Sequence, residues 1–167
     1  MARRVAGYSR AQVALHWIVV VLVAFQFLAH DAIEASWRAW LRAEPPPADH
    51  LALTYMHIAA GSLVLLLMLA RIYLRVTRGA PSPPADEPRL LQFLSEAVHG
   101  LIYLLLLALP VTGAVAWILG VEASGVAHEL LQTVLLAAIA VHIAGALVQH
   151  FVRRSDVLMR MFKPEHP

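Results

Sequence analysis

The sequence predicts an all-α membrane protein, a bundle of four transmembrane helices with both termini in the cytoplasm. Of its 167 residues, 60% are hydrophobic and only 14% are charged, less charge than a soluble domain carries. Each of four stretches without Asp, Glu, Lys or Arg reaches the roughly 20 residues that cross a bilayer core of about 30 Å. These stretches are 11–30, 51–70, 97–121 and 130–152.

We predict a single transmembrane domain over residues 1–167. Its helices are expected at about 11–30, 51–75, 94–120 and 126–152. In the first connection, Trp37 and Trp40 predict a short helix over 33–41 on the membrane surface. The second connection, 79–88, is rich in proline and should be irregular. The third connection, around 120–125, is so short that the third and fourth helices must be antiparallel neighbours.

The basic residues predict the orientation. Eleven of the thirteen flank the ends of the helices on the side of the two termini, and only Arg38 and Arg42 lie on the other side. By the positive-inside rule, both termini are therefore cytoplasmic. The basic charge reflects this asymmetry and gives no support for nucleic-acid binding. The absence of cysteine excludes disulfides, cysteine-ligated iron–sulfur clusters and c-type haem attachment.

Histidines provide the strongest functional signal. His128 and His142 lie fourteen residues apart in one apolar stretch, which is about 21 Å along a helix axis. Fourteen steps of about 100° fall roughly 40° short of four turns, so both side chains leave the same face. Histidine inside a membrane is rare and usually functional. The spacing suits two flat cofactors, one near each membrane surface.

Two further histidines lie at the same two depths in other predicted helices. His16 matches His142 toward the cytoplasm, and His57 matches His128 toward the outside. A planar macrocycle takes ligands from opposite sides, which facing helices of a bundle can supply. We therefore predict that each pair ligates one non-covalently bound haem iron. His99, near the inner end of the third helix, is the main rival as a ligand.

Other residues complete the candidate sites. Arg71 lies fourteen residues after His57, near the inner pair, where it would bind a haem propionate or simply anchor the helix end. A quinone site beside the inner haem would be lined by Gln149, His150 and Arg75. Small residues near the histidines leave room for a flat cofactor or a neighbouring helix. They include Gly61, Gly125 and Gly145, whereas His30, His50 and His166 are expected to be solvated.

Several short motifs follow one another along nearly the whole chain. They are Tyr8-Ser9-Arg10, Leu15-His16-Trp17, Met56 to Gly61, Arg71 with Arg75, His99 to Gly113, His128-Glu129, and His142 with His150-Phe151. Through them the chain resembles the bacterial cytochrome b561 family of four-helix, di-haem inner-membrane cytochromes. The resemblance implies that the axial ligands are His16, His57, His128 and His142. It also implies that His99 does not ligate iron.

The predicted function is transmembrane electron transfer through two bis-histidine b-type haems, in exchange with the quinone pool, for example ubiquinone. Two imidazoles saturate each iron and leave no open position for dioxygen. One alternative is a superoxide:ubiquinone oxidoreductase, which the resemblance implies for some relatives. Another is a haem-bearing membrane anchor for a periplasmic redox partner. The sequence does not decide between a carrier and an enzyme, and a homo-oligomer stays open.

Two observations weigh on these alternatives. The short outer link contains Glu122 and Glu129 but no Lys or Arg, and a negative rim repels superoxide. A histidine-lined metal transporter is a further alternative from a different class. Such sites usually combine histidine with intramembrane carboxylates, and the four uncharged stretches contain none. The residues therefore favour electron transfer over transport.

Overall fold

The computed structural model of the chain describes residues 4–5 and 7–164. Its elements, in chain order, are β1 (Arg4–Val5), α1 (Arg10–Leu28), α2 (His30–Leu41), α3 (Leu51–Arg78), β2 (Ala80–Pro81), α4 (Arg89–Leu119) and α5 (Glu122–Leu147). A π-helical turn, Val148–Val152, continues α5, and a 3-10 turn follows at Met159–Met161. The helices α1, α3, α4 and α5 with its extension are long and apolar enough to cross a membrane. The predicted fold class of four membrane helices is confirmed.

Large apolar side chains cover the outside of the bundle. Val21 is 67% exposed, Leu66 63% and Ile118 76%. In water such a surface would be unfavourable, but lipid tails are as apolar as these side chains. The bundle is therefore built for contact with membrane lipid.

Several helices extend beyond the predicted boundaries. α4 begins at Arg89 rather than at about 94, α5 begins at Glu122 rather than at about 126, and α3 continues to Arg78 rather than 75. The prediction followed the charge-free stretches, whereas a helix continues past the hydrocarbon core until a residue ends it. Gly79 and Gly120 have positive φ angles of 87° and 68°, which end α3 and α4 respectively.

One compact core occupies the middle of the bundle. α1, α3, α4 and α5 each contribute buried side chains to it. They are Val19, Val23, Val64, Met68, Leu105, Leu106, Leu109, Leu135 and Ala138. The candidate histidines lie beyond this core on either side, so the apolar middle separates two polar regions.

The predicted surface helix is part of α2, which packs against α3 and the α4–α5 connection. The hydroxyls of Ser36 and Thr54 are buried and lie 2.8 Å apart in a hydrogen bond. The Trp37 and Trp40 rings stack with their centroids 5.0 Å apart. A Cβ built on Gly120 would lie 2.7 Å from the Trp40 ring. The tryptophans therefore contact the bundle itself as well as its surroundings.

The connection between α3 and α4 is held by the C-terminal part of the chain. It is irregular as predicted, apart from β2, which pairs in parallel with β1. The Arg160 guanidinium donates to the Ser82 carbonyl at 2.7 Å, and Arg153 lies 3.6 Å from the Asp86 carboxylate. The Gln149 amide donates to the buried Glu87 carboxylate. The end of α5 is thereby fixed to this connection.

The two ends of the bundle differ in charge. We call the end where α1 begins and α5 finishes the basic end, which contains Arg71, Arg75, Arg153 and Arg160. The opposite end, with α2 and the α4–α5 connection, is the acidic end, which contains Glu34, Glu122 and Glu129. Arg3 and His166 lie outside the described residues. The cytoplasmic location of the basic end stays a prediction.

The core makes a first prediction about stability. Met68 is 1% exposed, and Met68→Ala should lower the free energy of unfolding by about 2–5 kcal/mol because it leaves a cavity. Leu66→Ala, at a position 63% exposed, is the matched control and should change it much less. Thermal unfolding in detergent measures both variants. Equal destabilisation by the two would contradict the assignment of Met68 to the core.

Candidate cofactor sites

The structure brings the predicted histidines together in two pairs. At the acidic end, the rings of His57 on α3 and His128 on α5 have centroids 6.4 Å apart and planes inclined by 61°. At the basic end, the rings of His16 on α1 and His142 on α5 also have centroids 6.4 Å apart, with planes inclined by 63°. α5 therefore contributes one ring to each pair.

The ring separation fits a metal ion between the two members of each pair. When two imidazoles bind one metal ion from opposite sides, metal–nitrogen bonds of about 2.0 Å and ring radii of about 1.1 Å give a centroid separation of roughly 6.2 Å. Both pairs come close to this separation, at 6.4 Å. The donors are imidazole nitrogens, which are typical axial ligands of haem iron. Both the distance and the chemistry therefore fit bis-histidine ligation.

The His128 ring is oriented by hydrogen bonds to α4. Its Nδ1 lies 2.9 Å from the Leu109 carbonyl oxygen and 3.2 Å from the Thr112 hydroxyl. The carbonyl accepts a hydrogen bond from Nδ1–H, which leaves Nε2 unprotonated and able to bind a metal. Thr112 is itself fixed, because its hydroxyl donates toward the carbonyls of Ala108 and Leu109, both at 3.0 Å. These contacts thus set the tautomer of the His128 ring.

Gly113 makes room for the His128 ring. A Cβ built on this glycine would lie 3.1 Å from His128 Cε1 and 3.2 Å from Nδ1. These distances are shorter than ordinary van der Waals contacts, so a side chain would push the ring away from α4. The close approach of α5 to α4 therefore depends on the missing side chain.

Gln26 of α1 contacts the backbone of α3 at His57, the other member of this pair. Its amide nitrogen donates to the His57 carbonyl oxygen at 3.0 Å. Gln26 Oε1 and His57 Nδ1 are buried and have no hydrogen-bond partner among the described residues. Buried polar atoms without partners are uncommon in native structures. A bound group or water would satisfy them.

A cavity at the acidic end surrounds this pair. Its walls are mostly apolar and include Gly61, Gly113, Gly125, Pro110, Trp117 and Leu135. The charged side chains among its described lining residues are the carboxylates of Glu34 and Glu129. His30, which the sequence predicted to be solvated, lines the cavity and lies 3.5 Å from the Gln132 amide and 3.9 Å from Glu34. The His30 side chain is 32% exposed, so it is partly solvated and also lines the cavity, because α2 folds back against the bundle.

At the basic end, Arg71 is close to the second pair. It is near enough to interact electrostatically with both His16 and His142. Its guanidinium donates to the Gln12 carbonyl at 3.3 Å and lies 5.8 Å from the centroid of the Tyr103 ring. The structure therefore places a fixed positive charge beside this pair.

A second guanidinium faces the same tyrosine. Arg75 lies 6.0 Å from the centroid of the Tyr103 ring, within the range of a cation–π interaction. Tyr8, which precedes α1, is also near Arg75, and burial raises the pKa of its hydroxyl above the usual value of 10.0. Tyr8 therefore stays a neutral hydrogen-bond donor over the physiological pH range.

His99 lies against the basic-end pair. Its ring centroid is 4.9 Å from that of His142, and the two planes are nearly perpendicular at 83°. Its Nδ1 is 2.6 Å from the Ser95 carbonyl oxygen one turn earlier in α4. A separation of 4.9 Å is too short for the two rings to lie on opposite sides of one metal ion, so His99 is not placed as an opposing partner of His142.

The three predicted quinone-lining residues have different surroundings. The amide nitrogen of Gln149 donates to Glu87, and its Oε1 accepts from the Ser155 hydroxyl at 2.9 Å. Arg75 faces Tyr103, as described above. His150 Nδ1 is buried and has no hydrogen-bond partner among the described residues. His150 is therefore the member of the three with a buried polar atom left for a ligand.

The sequence analysis missed several groups that shape the acidic-end site. They are Gln26, His30, Thr112, Gly113 and the Leu109 carbonyl. Gln26 and Thr112 carried a signal, since they are polar residues within apolar helices. Gly113 and Leu109 lie in the motif from His99 to Gly113, but the motif does not reveal their roles, because these depend on which face of α4 meets α5. Gly145 was expected to make room near His142. In the structure there is open space at this position, since a Cβ built on Gly145 would meet nothing within 4 Å.

Comparison with known proteins shows the family of the chain. The family profile of prokaryotic cytochrome b561 matches residues 7–164. The chain belongs to this family. The cytochrome b562 of Cereibacter sphaeroides is 32% identical over 162 residues, which cover 95% of this chain and 96% of the relative.

Two further members are more distant. A probable superoxide oxidase CybB of Yersinia pestis is 27% identical over 175 residues, covering 92% of this chain and 94% of the relative. The cytochrome b561 homolog 1 of Escherichia coli K12 is 25% identical over 175 residues, covering 92% and 96%. With its four apolar helices, the cytochrome b561 member described here is a multi-pass bacterial membrane cytochrome of electron transfer that binds haem b.

The Gly113 contact makes a second prediction. Gly113→Ala should push the His128 ring away and disturb its bond to the Leu109 carbonyl, weakening haem binding at that end about 10–100-fold. Gly100→Ala, on the same helix, is the control, since its Cβ would meet nothing within 4 Å. Haem per chain is measured by absorbance after purification under limiting haem. Full haem content in Gly113→Ala would contradict the role of this contact.

Proposed function

We propose that this cytochrome carries electrons across the membrane through two b-type haems, one at each end of the bundle. The observation that carries the proposal is the equal 6.4 Å separation of two histidine pairs on facing helices. Fourteen residues separate His128 from His142 on α5, which is about 21 Å along the axis. This spacing supports one cofactor near each membrane surface.

The four histidines would hold the iron and limit its chemistry. When bound, haem supplies reversible one-electron exchange between ferric and ferrous iron. His57 and His128 would hold the haem iron at the acidic end, and His16 and His142 would hold it at the basic end. Because two imidazoles would saturate each iron, the chain would favour electron transfer over binding of dioxygen.

Arg71 would bind a carboxylate of the basic-end haem. Its guanidinium lies within electrostatic range of His16 and His142 and is held by the Gln12 carbonyl. Arginine binds carboxylates with two parallel hydrogen bonds, which adds geometric specificity to the charge attraction. The positive-inside rule supports a cytoplasmic location for this haem.

A quinone would exchange electrons at the basic end. The unpartnered buried Nδ1 of His150 supports this site, because a quinone oxygen or hydroxyl can complete its hydrogen bond. Gln149 and Arg75 would line the site without donating to the quinone, since their polar groups already contact Glu87 and Tyr103. A periplasmic redox protein at the acidic end and a homo-oligomer remain compatible with this arrangement.

Superoxide oxidation is the second candidate, because the similar chain from Yersinia pestis is named a probable superoxide oxidase. In the chain described here, the charged residues lining the acidic-end cavity are Glu34 and Glu129. A negative lining repels an anion and lowers its local concentration. The charge pattern therefore favours a donor other than superoxide.

The number of haems tests the main proposal. Purified protein should contain two b-type haems per chain, and His16→Ala or His57→Ala should each reduce this to one because an axial ligand is lost. A reduced-minus-oxidised absorbance spectrum with haem quantified per chain measures it. His50→Ala is the control and should keep both haems. One haem in the unaltered chain, or two in both variants, would refute the ligand assignment.

The His150 site makes a separate prediction. His150→Ala should slow haem reduction by a short-chain quinol about 5–10-fold, the effect of losing one buried hydrogen bond worth about 1 kcal/mol. Stopped-flow absorbance of the haem bands measures this rate, and haem content should stay at the level of the unaltered protein. The matched control is His50→Ala. An unchanged rate with the quinol would remove His150 from the quinone site.

A further inference from the structure

We infer that His99 is a positioning residue that sets the orientation of the His142 ring, and thereby the electronic state of the basic-end haem. The inference rests on the proposed function, in which His142 is an axial ligand. His99 lies on α4, which contributes no histidine to either pair. Its ring nevertheless lies directly against the proposed ligand.

The His99 ring is itself held in place. Its Nδ1 is 2.6 Å from the Ser95 carbonyl oxygen, a backbone acceptor that requires the proton to be on Nδ1. Nε2 is then unprotonated and able to accept a hydrogen bond. Because the Ser95 carbonyl belongs to the preceding turn of α4, the helix fixes both the position and the tautomer of this ring.

The contact with His142 has a defined geometry. The ring centroids are 4.9 Å apart and the planes meet at 83°, an edge-to-face arrangement that aromatic rings prefer over direct stacking. Among the described residues, no hydrogen bond to the His142 ring is observed. The His99 ring is therefore the aromatic neighbour from α4 that restrains rotation of His142 about its side-chain bond.

At the acidic end, α4 orients the α5 histidine ring through hydrogen bonds instead of a ring contact. There, α4 orients the His128 ring through the Leu109 carbonyl and the Thr112 hydroxyl. The planes of the two paired rings are inclined by similar angles, 61° at the acidic end and 63° at the basic end. Similar angles at both ends, with different contacts from one helix, indicate that α4 orients the α5 rings of both pairs.

Ring orientation is measurable at a bis-histidine haem. Strongly inclined axial imidazole planes give low-spin ferric haem a highly anisotropic electron paramagnetic resonance signal, whereas parallel planes give a rhombic one. Groups that orient a metal-bound histidine also affect metal affinity, typically 10–100-fold when they are removed. Loss of His99 should therefore change both the signal and the haem affinity at the basic end.

The experiment isolates one haem at a time. In protein with His57→Ala, which should retain the basic-end haem alone, His99→Leu should shift the signal toward the rhombic form. It should also weaken haem binding about 10–100-fold. In protein with His16→Ala, which should retain the acidic-end haem, the same substitution should leave the signal unchanged. His99→Gln, which keeps a polar side chain, is the second variant in case His99→Leu does not fold.

A control and the contrary outcomes complete the test. Leu104 is 63% exposed on the same helix, and Leu104→Ala should leave the signal of the His57→Ala protein unchanged. An unaltered signal and haem affinity after both His99 substitutions would overturn the positioning role while leaving the two-haem proposal intact. If His99→Gln loses a haem while His16→Ala keeps two, then His99 rather than His16 is the ligand. This outcome would also overturn the positioning role. Absence of haem from the protein with the single substitution His57→Ala would instead refute the proposed function.

Discussion

The close packing of α5 against α4 is the constraint on which both sites depend. An imidazole has a short reach, so two rings can flank one metal ion only if their helices lie at a fixed distance. Gly113 on α4 allows α5 to lie close to α4 at the acidic end, where a Cβ would lie 3.1 Å from the His128 ring. Apolar packing around Met68 holds the same helices together between the two sites. The geometry of the sites is thus a property of helix packing.

Much of this arrangement could be predicted from the sequence, because it depends on rigid regularities. The lengths of the charge-free stretches predicted four membrane helices, since a bilayer core sets the length that is needed. Helical rise and rotation placed His128 and His142 on one face, and depth matched each to a partner on another helix. The structure brings together the same partners, at 6.4 Å in each case.

The remaining features depend on which faces of the helices meet, and the sequence does not reveal this. Gly113 is a contact surface only because α5 lies against it, and His30 lines a cavity only because α2 folds back onto the bundle. The hydrogen bond between Gln149 and Glu87 joins residues distant in the chain. Helix ends were also missed, because Arg89 and Glu122 continue helices beyond the apolar stretches.

The distribution of the paired rings over the helices has a consequence for assembly. One pair joins α5 to α1, and the other joins α5 to α3. A ligand that binds only the folded state stabilises it by mass action. Each haem would therefore act as a removable tertiary cross-link between a different helix and α5. Loss of one cofactor would loosen one helix of the bundle, and complete maturation would require both insertion events.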